Sequence, residues 1–172
     1  MIARCAKIGA GILTVSLLAG CGFTPLYASH DSTDSVGSSL SSVNIALIPD
    51  RVGQELRQDL QQIMAADGSD GVTHYDLYVT VSMSESDIAI NQQTASTRAR
   101  DTGAASWVLR KEGEKHTEVA HGGAHALDGY DIINQQFFAA DMSREAAYRR
   151  IDKALAEQIV QQLAVYFRQH PG

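Results

Sequence analysis

This sequence has little of what usually advertises chemistry. In 172 residues there are two cysteines, three prolines and one tryptophan. With so few cysteines, a disulfide scaffold and a multi-cysteine metal centre are excluded. Cations are in deficit, with 14 Lys and Arg against 20 Asp and Glu and a net charge of −6. A net charge of that sign argues against nonspecific binding of nucleic acid through its phosphates. The apolar run Ile8–Leu18 falls short of the roughly 20 residues needed to span a bilayer. There is no Gly-x-Ser-x-Gly elbow, no phosphate-cradling glycine loop and no evident nucleophile–base pairing, so no catalytic residue is assigned and the chain is not read as an enzyme. His121 and His125 stand four apart in "HGGAH". Two glycines between them and the lack of a Glu after the first make them solvated histidines, not metal ligands.

What is present begins at the N-terminus. Arg4 and Lys7 precede the apolar run, and the small residues Ala19 and Gly20 follow it. Positive charge, apolar core and small-residue cleavage site are the layout of a secretory signal peptide over residues 1–20. Leu18-Ala19-Gly20-Cys21 resembles a bacterial lipobox, which makes Cys21 the acylated first residue of the mature chain. Cys5 leaves with the signal, so Cys21 has no cysteine to pair with. A lone thiol is a liability in an oxidising compartment, and a thioether to lipid removes it. One acyl chain anchors only marginally, at about 0.8 kcal/mol per buried methylene; the several chains of a bacterial lipoprotein hold firmly. These covalent acyl chains are the only non-protein group expected. Loss of Arg4 and Lys7 leaves 12 basic residues against 20 acidic ones, a net charge of −8. Gly22 rather than Asp after the cysteine favours the outer membrane, by resemblance to the sorting rule of enteric bacteria.

Residues 21–42 are rich in Ser and Asp and are predicted to be a lipidated N-terminus with a flexible tether; a solvated leader without a role has the same composition. The folded domain is predicted over 43–172. "VNIALIP" is a strand stopped by Pro49. Asp50 caps a helix whose apolar stripe is Val52, Leu56, Leu60 and Ile63, ended by Gly68 and Gly71. In "HYDLYVTVSMS", Tyr75, Leu77, Val79, Val81 and Met83 alternate with polar residues, which predicts a strand with one buried face. Ile88 and Ile90 fall in the opposite phase, which predicts a bulge near Glu85–Asp87. A turn at Asn91–Gln93 leads into a return strand with a second bend at Gly103. Thr117 to Leu127 is a weaker fourth strand, followed by a loop holding Tyr130, Phe137 and Phe138. A long helix spans about Ser143 to Phe167, capped by Asp141 or Ser143. The order predicts an α+β two-layer sandwich, with two helices packed on one face of a four-stranded, mostly antiparallel sheet.

Arg98 and Arg100 share one face of the return strand, with Arg110, Lys111 and Lys115 near its other end. Arginine matches phosphate and carboxylate bidentately, which makes Arg98 and Arg100 candidate contacts in an otherwise acidic chain. A solvated strand face paired to neighbouring acids would carry the same residues.

"CGFTPLY", "IALIPDRVGQELRQDL", "YDLYVTVS", "TASTRARDTGAASWVL", "YDIINQQFFAADMSREAAYRRI" and "LAEQIVQQLAVYF" together, in this order behind a lipobox, resemble the LptE family of lipopolysaccharide-assembly lipoproteins, in an alphaproteobacterial style. The resemblance covers nearly the whole mature chain. It implies a non-enzymatic protein held by Cys21 on the periplasmic leaflet of the outer membrane. It also implies that the protein plugs and stabilises the LptD β-barrel and aids delivery of lipopolysaccharide to the surface. The family's lipopolysaccharide contacts are basic residues near the turn between the second and third strands; here that turn is Asn91-Gln92-Gln93, and the nearest cations are Arg98 and Arg100. The alternative is a periplasmic lipoprotein auxiliary to a transporter or secretin, sharing only the small sandwich.

Overall fold

The computed structural model describes residues 36–64, 73–90, 96–113, 117–131 and 137–170. Within them the order is α1 (Val36–Ser41), β1 (Val43–Ile45), α2 (Asp50–Met64), β2 (Tyr75–Ile90), β3 (Ser96–Lys111), β4 (Glu118–Asp131) and α3 (Phe137–Gln169). The sheet order is β1-β2-β3-β4. β1 lies parallel to β2, and β2, β3 and β4 form an antiparallel meander. The expected α+β sandwich is therefore present, with one helix more than the sequence predicts. Packed structure reaches back to Val36, because Gly37, Leu40 and Ser42 are buried. Cys21, Gly68, Gly71, the Asn91–Gln93 turn and Lys115 lie outside the described residues.

The strand alternation decides which face the helices cover. Leu77 and Val79 of β2, Ala99, Ala105, Trp107 and Leu109 of β3, and Ala124 and Tyr130 of β4 are buried. All have the parity of the helix-covered face. α2 contributes Leu56, Leu60 and Met64, four residues apart. α3 contributes Ile151, Leu155, Ile159 and Leu163 together with Ala156, Val160, Ala164 and Phe167. That apolar arc is wide because α3 touches β3 and β4 on one side and α1 and α2 on the other. Among the described residues, no helix is long and apolar enough to cross a membrane.

Local details differ from expectation for identifiable reasons. The strand expected through Pro49 pairs only over Val43–Ile45; beyond it Leu47 is exposed while Ile48 is buried. Ile48 packs against Gly53 of α2, where a Cβ would lie 2.5 Å from Ile48 Cγ2. Asp50 opens the helix at φ 66°, a conformation short polar side chains tolerate. The irregularity of β2 falls between Asp87 and Ile90, just past the expected bulge. Tyr130 belongs to β4 and Phe137 and Phe138 to α3, not to a loop. Neither Asp141 nor Ser143 caps the helix: the Ser143 hydroxyl donates to the Ala139 carbonyl at 2.9 Å, and Asp141 accepts from Arg144 at 3.1 Å. Ala139, Ala140 and Met142 favour helix and help carry it further upstream.

Gly103 makes no bend. It pairs with Met83 and Ala126 in the middle of a continuous β3. A Cβ there would lie 2.4 Å from Ile151 Cγ2 and 3.1 Å from Leu155 Cδ1, so the missing side chain is what lets α3 settle on the sheet. Gly103→Ala is therefore expected to destabilise the domain by about 1–3 kcal/mol in denaturant unfolding. The loss should be partly relieved in the double variant with Ile151→Ala, because the two sites share one contact. Additive losses would mean the clash is absorbed elsewhere.

Candidate partner-contact face

The face of the sheet turned away from the helices carries the arginines expected there. Arg98 and Arg100 are exposed, and Ala99 between them is buried. Both therefore project outward near the β2–β3 hairpin. Arg98 Nε lies 3.7 Å from Asp131 Oδ1, with both side chains mostly exposed; such a pair contributes little to stability. Arg100 pairs in register with Ser86 and Gly129. Beside them, the Ser82, Ser84 and Ser86 hydroxyls each sit 3.5 Å from a β3 carbonyl, those of Ala104, Thr102 and Arg100. Arg110, on the same face toward the other end, stacks over the Tyr78 ring at 5.1 Å. The structure thus places Arg98 and Arg100 together and separates them from Arg110 by twelve and ten residues of strand. His121 and His125 lie on β4, roughly 13 Å apart at strand rise. Among the described residues no group of three potential ligands could hold a metal ion.

The inner face at the same end holds residues that sequence reading did not find. Glu85, Asp101 and Asp128 stand in one register row across β2, β3 and β4. Asp128 is answered: burial pushes its carboxyl up, but Arg150 and the Gly129 N–H outweigh that and hold it below the usual range. Asp101 is fully buried and neither oxygen has a hydrogen-bond partner among the described residues. Its carboxyl is pushed up, first by burial and then by the charge of Glu85. The same surroundings raise the Tyr130 hydroxyl to about 12. The parity of Asp101 with Ala99 and Gly103 was the available signal; a charged side chain on a core face is rare enough to be passed over.

A second buried acid joins α3 to α2. Asp152 is 1 % exposed and has no partner for either oxygen among the described residues. Burial, then the charges of Glu55, Asp59 and Glu145, push its carboxyl up to about 7. Arg51 bridges Glu55 and Glu145 nearby, on the rim of the same contact. None of these groups forms a nucleophile–base arrangement; the arrangement is electrostatic and structural.

Several lipoproteins of known structure share this fold. A putative lipoprotein from Caulobacter crescentus CB15 superposes with a TM-score of 0.61 at 23% identity, covering 77% of this chain and 96% of that one. The rare lipoprotein B of Shewanella oneidensis gives 0.57 at 10% identity, covering 74% and 96%. An uncharacterized lipoprotein B of Nitrosomonas europaea gives 0.53 at 12%, covering 76% and 92%. These likenesses establish the fold. No curated protein sequence matches. The LptE family profile, described as Lipopolysaccharide-assembly, matches residues 39–163, and the chain belongs to that family.

The Asp152 shift carries a pH dependence. Its folded carboxyl titrates near 7 and its unfolded one near 3.8, so the folded state holds the proton more tightly. The stability this confers is fully present below about pH 4 and is lost as pH rises through 7, with a slope approaching 1.4 kcal/mol per pH unit, about the value for one proton. Denaturant midpoints measured from pH 5 to 7.5 should therefore fall, and Asp152→Asn should flatten the curve. A wild-type profile identical to that of the variant would refute the assignment.

Proposed function

We propose that this chain is an outer-membrane lipoprotein that plugs and helps assemble the LptD-type β-barrel of lipopolysaccharide transport. The anchor is the acylated Cys21 on the periplasmic leaflet, residues 1–20 are removed on export, and the segment between Cys21 and the domain is its tether. The observation that carries the reading is membership of the lipopolysaccharide-assembly family over residues 39–163. The lipobox at Leu18–Cys21 supports it. The site offers binding rather than chemistry: an outward polar face with Arg98 and Arg100, whose forks suit lipid A phosphates or an acidic strip of the barrel lumen. A plug must fold on its own and present a hydrated surface to a polar lumen, which the acidic surface and the serine-lined strand face provide.

The test is extraction of the full lipoprotein in mild detergent. The barrel should copurify with the wild type, and Cys21→Ser should give an uncleaved or soluble form that takes up no labelled palmitate. A transporter or secretin in place of the barrel would establish the auxiliary reading instead. Equal palmitate in wild type and variant would refute the anchor.

Arg98→Glu with Arg100→Glu should leave stability within about 0.5 kcal/mol per change, since both side chains face solvent. It should weaken binding of the soluble domain to lipopolysaccharide or to the barrel, and the wild-type affinity should fall with salt. Unchanged affinity for both ligands in the folded double variant would remove the patch as a site.

A further inference from the structure

Asp101 is a carboxyl group for which the fold provides no partner. It stands on the inner face of β3, fully buried, and neither oxygen is hydrogen-bonded among the described residues. The three elements around it each bring a titratable or charged group. β2 brings Glu85 and β4 brings Asp128, both in register with it. β4 also brings Tyr130, whose hydroxyl donates to Glu85. α3 brings Tyr148 and Arg144. Arg144 donates to Asp141 at 3.1 Å and Arg150 serves Asp128, so neither cation bonds Asp101.

An ionised carboxylate without partners is costly to bury, so loss of the proton obliges Asp101 to meet water. The strands beside it cannot give way, because β3 is in unbroken register with β2 and β4 on both sides of Asp101. The start of α3 can. No residue from Phe138 to Ala146 is buried. The first that is, Ala147, belongs to a cluster of three with Ala99 and Tyr130, apart from the main core. The Ser143 hydroxyl bonds the Ala139 carbonyl, a local bond that slightly destabilises and bends a helix. Arg51 ties Glu145 to α2 from a side chain that is 71% exposed, and such surface pairs contribute little. Beyond this stretch the helix is held, Arg150 by Asp128 and Ile151 by the main core.

We propose that Asp101 is a latch on the first part of α3: while its carboxyl holds a proton, Phe138–Tyr148 lies on the sheet, and when that proton leaves to solvent this stretch opens, hinging at Arg149 and Arg150. The inference stands apart from the plug reading and needs no partner. Opening uncovers Ala99 and Tyr130 on the inner sheet face, a surface closed in the protonated form. The direction follows from linkage. Burial, then the charge of Glu85, holds the Asp101 carboxyl above its usual range. The closed form therefore binds the proton more tightly than the open one. Its advantage is complete below the usual carboxylate range and is lost as pH rises through the raised value. The latch opens as pH rises.

The experiment measures hydrogen exchange of the full lipoprotein in mild detergent across pH 4 to 8, roughly the span in which a raised carboxyl titrates, with each rate divided by the intrinsic rate at that pH. Protection at Met142–Tyr148 should fall by up to about tenfold per pH unit, the limit for one proton, and then level off. Asp101→Asn should hold these amides at their acid-side protection at every pH. Asp152→Asn, on the α2 side of the helix, should leave their pH dependence in place. Glu85→Gln changes an exposed side chain and removes a charge that raises Asp101, so it should move the fall to lower pH; it decides the matter if Asp101→Asn does not fold. Flat protection in the wild type, a fall that survives in Asp101→Asn, or a fall unmoved by Glu85→Gln overturns the proposal. So does exchange of Met142–Tyr148 at the same protection as Ile159–Leu163 at every pH, which would mean that the start of α3 opens only with the whole domain.

Discussion

The close approach of α3 to the sheet governs the rest of the structure. At Gly103 the helix side chains Ile151 and Leu155 come so near the strand that a methyl group has no room. At Gly122 the Trp107 ring and the Gln162 amide fill the space a Cβ would need. These two glycines set the distance and angle at which thirty-three residues of helix lie across β3 and β4. Because α1 and α2 then pack on the opposite flank of α3, an error at this contact would propagate through both layers.

One consequence is an uneven core. The main cluster lies where all helices meet the sheet, and a separate small one, Ala99, Tyr130 and Ala147, holds the start of α3 near the hairpin end. Asp101 and Gly103 sit between the two along β3. An ionised carboxylate with no partner is costly to bury, so the protein holds Asp101 and Asp152 with raised proton affinity. Both lie in the contacts of α3, Asp101 on the sheet beneath it and Asp152 on the helix itself, toward α2. The helix that organises the fold is therefore also the element whose seating depends most on protonation.

The polar inventory of the surface follows the same geometry. α3 runs along β4 closely enough for Gln158 and Gln162 to reach its backbone, so the His125 N–H and carbonyl and the Gly123 carbonyl are satisfied within the domain. β1 is three residues long and leaves most of β2 beyond its reach. Arg98 and Arg100 lie toward the far end of β2, in register with Ala89 and Ser86. The scaffold that presents these strands is held by helix–sheet packing.

Much of this could be read directly from residue order. Period-two alternation in β2 and period-3.6 spacing in α2 name the buried Leu77, Val79, Leu56 and Leu60, because burial of one face is a local pattern, while Tyr75, Val81, Met83, Val52 and Ile63 on the same faces are half-buried. The outward direction of Arg98 and Arg100 follows from the same alternation, and the Leu18–Cys21 signature and the family stretches need no folding to be recognised. What residue order could not decide was spatial. Gly103 looks like a bend until Ile151, forty-eight residues away, is seen against it. Asp101 looks like a surface acid until α3 covers it, and Asp152 until α2 packs against its helix. Gln158 and Gln162 look like a solvated helix face until β4 lies alongside. Each of these depends on which distant backbone comes within a few ångströms, and that is set by packing, not by neighbours in the chain.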